Sequence, residues 1–170
     1  MTTTTSDSRL VPRPEAKPII PPFAGLYWYT RGLGWLLVRL TAGGMLLEHG
    51  TMKLIAASDK GLTAAVQGFA AGALARRGIE PALPLAWIVF GIETIGAILI
   101  ILGLFTRLAA GAAAIQMAVV TFIAHFGNGF GFTSPGGGWE YPFFWGLILF
   151  AIALRGGGPY SLDHKLGWEL

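Results

Sequence analysis

Three apolar stretches, each about as long as a bilayer is thick, and a shorter fourth decide what this chain can fold into. A hydrocarbon core of about 30 Å takes roughly 20 helical residues to cross. Gly32 to about Met52 meets that length, carries Arg39 and ends in Glu48-His49. Leu85 to Leu104 meets it with Glu93 as its one charge, and Leu108 to Phe126 with Gln116 and His125 as its polar residues. Trp139 to Leu154 is shorter, and Pro142 falls in its first turn, where the missing N–H has no intrahelical partner to lose. Of the 170 residues, 54% are hydrophobic and only 12% charged, about half the charged share of a soluble domain. Water cannot then be the solvent of the whole surface. The expected fold class is all-α: an integral membrane four-helix bundle over residues 32–155, with spans at about 32–52, 85–104, 108–126 and 139–154.

The flanks and loops complete the expected layout. Residues 1–31 read as a disordered or interfacial tail. Pro12, Pro14, Pro18, Pro21 and Pro22 oppose a helix, no apolar core marks a signal peptide, and Phe23, Tyr27, Trp28 and Tyr29 suit a membrane interface. Phe105 to Arg107 must form a tight antiparallel hairpin. In the loop from Lys53 to Pro84, Leu62, Val66, Phe69 and Ala73 recur at helical spacing and predict a short interfacial helix. Gly127 to Gly138 is rich in glycine and aromatics with no helical period. Ala110, Ala114 and Ala118 form a small-residue stripe that permits close packing or a homo-oligomer. Lys17, Arg31, Arg107, Arg155 and Lys165 share one side of a four-span layout, against Lys53, Lys60, Arg76 and Arg77 on the other. This places both termini, including the tail 156–170, in the cytoplasm of a cell that holds the chain in its plasma membrane. The scattered basic residues form no patch for nucleic acid. With no cysteine, disulfides, thiol relays and Cys-ligated clusters are excluded.

Ionisable groups in a span cost roughly 2.5–3.5 kcal/mol each on insertion scales, so they face inward and find partners. Counted from the span ends, Arg39 and Glu93 lie at similar depth on antiparallel helices, which predicts an ion pair between them, whether it relays charge or only locks helix register. Arg39, Gly43, Leu46, Gly50 and Lys53 fall on one face of the first helix. Glu48, His49, Lys53, His125, Asn128, Trp139 and Glu140 gather at the end away from the termini. Histidines and carboxylates beside apolar walls suit a quinone head group, whose carbonyl oxygens need donors and whose reduction needs protons. The same side chains are adequate metal ligands, and a bis-His haem between His49 and His125 is conceivable, but no paired-His spacing supports either. Neither metal nor haem is expected.

These residues also resemble a known family. LLVRLTAGGMLLEHGTMKL is similar to the R-x(10)-G-x-x-K pattern of DoxX membrane proteins through Arg39, Gly50 and Lys53. FGIETIGAILIILGLFTRLAA resembles that family's second span and hairpin through Glu93, Gly96, Gly103, Thr106 and Arg107. The ending resembles its G-P-x-Y-S-x-D signature through Gly158, Pro159, Tyr160, Ser161 and Asp163. The resemblance covers about Gly32 to Leu166 and implies the four-helix membrane fold. It also implies a relation to the DoxD-type subunit of a thiosulfate:quinone oxidoreductase. On that reading the chain is a quinone-linked oxidoreductase subunit acting on a small sulfur compound such as thiosulfate, with a soluble or membrane partner subunit carrying electrons. Glu93, Arg39, His49, His125 and Glu140 are the expected catalytic or proton-passing groups, and Glu48, Lys53 and Trp139 the quinone-binding ones. Asp163 fits a structural cap, of a short helix from His164, better than a catalytic acid. The competing class is a non-catalytic scaffold, an assembly partner or a small-solute carrier.

Overall fold

The computed structural model describes residues 19–168 and, among these, contains helices and no strand. The Pro-rich stretch through Pro18 and the side chains of Trp28 and Tyr29 lie outside the described residues. Helix α1 runs Ala24–Ala56, α2 Leu62–Phe69, α3 Ala82–Leu102, α4 Thr106–Asn128, α5 Glu140–Arg155 and α6 Leu162–Leu166. Two of them, α3 and α4, are long and apolar enough to cross a bilayer. The side-chain distribution is inverted relative to a water-soluble protein: Ile95, Ile115 and Leu147 are exposed while Arg39, Glu93, Gln116 and Asp163 are buried.

Helix α1 corrects the expected tail. The chain is helical from Ala24, so residues 24–31 extend the first helix. Pro21 and Pro22 form only a short 3₁₀ turn ahead of it, and nothing after Pro22 interrupts helical hydrogen bonding. The predicted face of α1 is its packed face. Arg39, Gly43, Leu46 and Gly50 are buried and Lys53 is half-buried. A Cβ at Gly50 would lie 2.5 Å from the Glu93 carbonyl oxygen, and one at Gly43 2.7 Å from the Ile101 side chain. The two glycines therefore bring α1 against α3 backbone to backbone.

The main core joins α1, α3, α4 and α5 through Leu46, Ala97, Ile100, Ala110, Leu149 and Ile152. The α4–α5 contact is the most extensive and uses Ala109, Ala110 and Ala113. Ala114 and Ala118 of the predicted stripe instead line an apolar groove beside it. The predicted loop helix is present as α2, but Val66, Ala70 and Leu74 pack against Ala82 and Ala86 of α3. Its apolar face is spent on protein.

The α3–α4 hairpin turns at Gly103–Phe105, earlier than expected, with Gly103 at φ 69° and Phe105 at φ 47°; Arg107 lies inside α4. The last segment of the chain explains this turn. The buried Asp163 carboxylate accepts from the Phe105 and Thr106 N–H groups at 2.8 and 2.9 Å and from the Thr106 hydroxyl at 2.7 Å. It supplies the acceptors that the first turn of α4 lacks. Asp163 is thus a structural cap, as expected, but of α4; the short helix α6 is capped by Ser161, whose hydroxyl accepts from His164 N–H at 3.1 Å.

Gly50→Ala forces α1 away from α3 and is expected to cost about 1–3 kcal/mol, the range for overpacking. Gly44→Ala, with nothing within 4 Å of its Cβ, is expected to stabilise by up to about 1 kcal/mol through helix propensity. Thermal unfolding in detergent measures both, and equal effects would refute the close approach.

Candidate functional site

The close approach of α1 to α3 sets which charges meet. Gly50 lies against Glu93, Gly43 against Ala97 and Ile101, and Arg39 against Gly103. Glu93 and Gly103 are ten residues apart, about 15 Å along a helix. The expected Arg39–Glu93 pair does not form. Arg39, 1% exposed, donates to the carbonyl oxygens of Gly157 and Tyr160, the latter at 2.6 Å, and so belongs to the end that holds the termini. The misreading came from taking the two spans to end level, whereas Arg39 lies level with Gly103 and α1 runs on past that end of α3.

Glu93 pairs with Lys53 instead. Its other carboxylate oxygen accepts from Gln116 Nε2 at 2.8 Å. Since a carboxylate only accepts, the Gln116 amide nitrogen must face it, which leaves Gln116 Oε1 buried without a hydrogen-bond partner. The Lys53 ammonium also lies 4.6 Å from the centroid of the Phe69 ring, a favourable placement over the negative face of the π-system. Three helices and α2 thus converge on one buried polar group.

This group lies in the wall of a cavity of about 400 Å³, within the usual range for small-molecule sites. The walls are mainly apolar, with His49, Lys53, Arg77, Glu93, Gln116 and His125 among the polar liners. The Gly127–Gly138 loop contributes Phe132, Gly137 and Gly138 to the lining. Hydrogen bonds hold it there: His125 Nδ1 lies 2.9 Å from the Gly137 carbonyl oxygen, and Asn128 Nδ2 donates to Gly136 and Gly137. Among the described residues there are three π-helical turns, Ala70–Leu74, Ile92–Gly96 and Val120–His125, and each places residues in this lining: Ala73 and Leu74, Glu93, and Val120 with His125. Wide turns of this kind are rare and concentrate at functional sites.

Of the residues singled out in the sequence, His49, Lys53, Glu93 and His125 meet in this cavity. Arg39 is at the opposite end. Glu48 is exposed outside the lining. Trp139 stacks with Phe126 and meets Phe130 and Phe143 edge-on, and Glu140 accepts from Phe132 N–H at 3.1 Å; both support the loop from outside. Among the described residues no three His, Asp or Glu side chains gather as a metal site. Gln116, Arg77, Phe69 and Tyr141 were not read as site residues. Gln116 alone carried a signal, as the one neutral polar side chain deep in the third span.

Comparison with known proteins adds to this geometry. The model of the DoxX family matches residues 34–126, more than half of the chain. A Haemophilus influenzae protein, described only as uncharacterised, is 39% identical over 75 residues, which are 44% of this chain and 56% of that relative. The chain therefore spans little more than half the length of that relative. No solved structure matches the chain.

Lys53→Met leaves Glu93 uncompensated and is expected to cost about 3 kcal/mol, while Lys53→Met with Glu93→Leu recovers most of that loss. Unfolding of the two single variants and the double variant in detergent checks this, and strictly additive losses would refute the pairing.

Proposed function

The chain belongs to the DoxX family of membrane proteins, and on that premise we propose that it is the membrane subunit of a quinone-linked oxidoreductase whose cavity receives the quinone head group. The observation that carries this reading is the Lys53–Glu93–Gln116 group set in an otherwise apolar wall. A cavity of this size takes one substituted ring, and Lys53, Gln116 and the two histidines among its liners suit a ligand with polar ring oxygens. A bound quinone supplies a two-electron, two-proton acceptor. Lys53 Nζ would donate to a ring oxygen, the Glu93 carboxylate beside it would take up a proton in turn, and His49 and His125 would carry protons to and from the cavity. Arg39, Glu48, Trp139 and Glu140 act at one remove, holding the helices and the loop. A small sulfur compound such as thiosulfate is the proposed electron donor. Its electrons reach the site through a partner subunit, since the chain has no cysteine for a cluster of its own.

The same reading takes α1, α3, α4 and α5 as the four spans of a plasma-membrane bundle, with α2 at the interface and both termini cytoplasmic. Lys53 is consumed by Glu93. That leaves Lys60, Arg76 and Arg77 at the cavity end against Arg31, Arg107, Arg155 and Lys165 at the other, the bias the positive-inside rule asks for. Because the chain has no cysteine, single-cysteine variants report sidedness directly. Asp59→Cys is expected to react with an impermeant maleimide in intact cells and Lys165→Cys only after lysis; the reverse pattern would invert the topology.

Purified protein is expected to retain quinone in its lipid extract, with occupancy lowered about tenfold in Gln116→Leu, the effect of one hydrogen bond worth about 1.4 kcal/mol. Thiosulfate-dependent quinone reduction by membranes containing the chain is the activity assay. Absence of both quinone and turnover would refute the oxidoreductase reading and favour a scaffold.

A further inference from the structure

A second hollow, about 610 Å³ and open, adjoins the cavity through a shared wall residue, Arg77. Arg76 and Arg77 line it together, opposite Gly127, Asn128 and Gly136, and no carboxylate faces it. The glycines keep much of the opposite wall to backbone, and the Asn128 amide there is turned to the Gly136 and Gly137 carbonyls. Both arginines are exposed, and neither has an ion-pair partner among the described residues. Arg77 Nη1 donates to the Ala73 carbonyl at 2.9 Å, the ordinary use of a cation in a last helical turn, but Arg76 has no hydrogen-bond partner among the described residues. Two neighbouring guanidiniums repel each other, and an anion between them removes that repulsion. Their planar forks match oxyanions.

We infer that the Arg76–Arg77 hollow is an oxyanion-binding subsite opening from the aqueous phase onto the cavity through Arg77. This goes beyond the quinone reading and stands without it. The lining cations reinforce the assignment: with Lys53 neutralised by Glu93, Arg76 and Arg77 leave an excess of two positive charges across the two hollows. The oxyanion is either a free inorganic-type anion or the phosphate of a lipid head group, two sources with one chemistry.

The test uses the full chain. Equilibrium dialysis with radiolabelled sulfate, at low ionic strength in neutral detergent, is expected to show saturable binding of one anion per chain. Arg76→Gln with Arg77→Gln weakens it at least tenfold, and Lys60→Gln leaves it unchanged. Co-purification from vesicles of mixed phosphatidylglycerol and phosphatidylcholine is the second arm, read by native mass spectrometry. Phosphatidylglycerol retained by the native chain and lost in the double variant supports the subsite with a lipid as its source; saturable sulfate binding lost in that variant supports it with a free anion. Absence of both, or loss of neither in the double variant, overturns the inference. Both side chains are exposed, so circular dichroism is expected to show the variant folded, and Arg76→Lys with Arg77→Lys, keeping charge without the forks, is expected to bind at an intermediate level. Retained quinone in the double variant separates this result from the fate of the cavity reading.

Discussion

The contact of α1 with α3 at Gly43 and Gly50 governs the rest of the molecule. Two backbones that touch in this way fix the register, because a shift of one residue would put His49 or Thr51 where Gly50 meets the Glu93 carbonyl. Once Gly50 lies on Glu93, Lys53 is one turn away from that carboxylate and Arg39 is about 15 Å too far. The ion pair follows from the glycines. A charge in an apolar span must be paired or hydrogen-bonded, and here the geometry of uncharged residues chooses the partner.

That order of causes explains what could be read in the sequence. The inward face of α1 was legible because Arg39, Gly43, Leu46, Gly50 and Lys53 obey helical spacing, and spacing is a local property. The partner of Glu93 was not, because relative depth depends on how two helices are offset, and α1 runs on past the end of α3 at Gly103. Hydropathy reports the solvent around a helix, while backbone hydrogen bonding decides its length. The α3–α4 turn was misplaced for a related reason. Its cap is Asp163, 57 residues after Thr106 in the chain, so no local pattern of turn residues announces it. His49, Lys53, Glu93 and His125, which line one cavity, were legible as candidates because polar side chains are scarce in these spans. Arg77 was not, because an arginine at a helix end has an ordinary explanation.

The two ends of the molecule use their polar groups differently. At the end that holds the termini, the groups serve the backbone. Arg39 satisfies Gly157 and Tyr160, Trp35 Nε1 satisfies Gly156 at 2.9 Å, and Arg107 satisfies the last carbonyls of α5. These acceptors would be costly to leave unpaired beside hydrocarbon. The charged residues there are consumed by architecture. At the cavity end the polar groups serve one another or remain partly unused: Glu93 holds Lys53 and Gln116, Gln116 Oε1 holds nothing, and Arg76 holds nothing among the described residues.

Unused hydrogen-bonding capacity is the distinction that matters for function. A buried acceptor without a partner costs about 1–3 kcal/mol, and a wide helical turn weakens local hydrogen bonding at each of three places around the same cavity. A chain shaped by stability alone would fill the cavity with side chains and close those turns into regular helix. The costs fall together in space although Ala70–Leu74, Ile92–Gly96 and Val120–His125 are far apart in sequence. Their convergence around the Lys53–Glu93 pair supports the proposal that the pair belongs to a binding site as well as to the packing of α1 on α3. Arg39, more deeply buried than either member of that pair, lies in none of the wide turns and lines neither hollow. On that proposal, what sets the Lys53–Glu93 pair apart from Arg39 is unspent polar capacity beside it, not burial of charge alone.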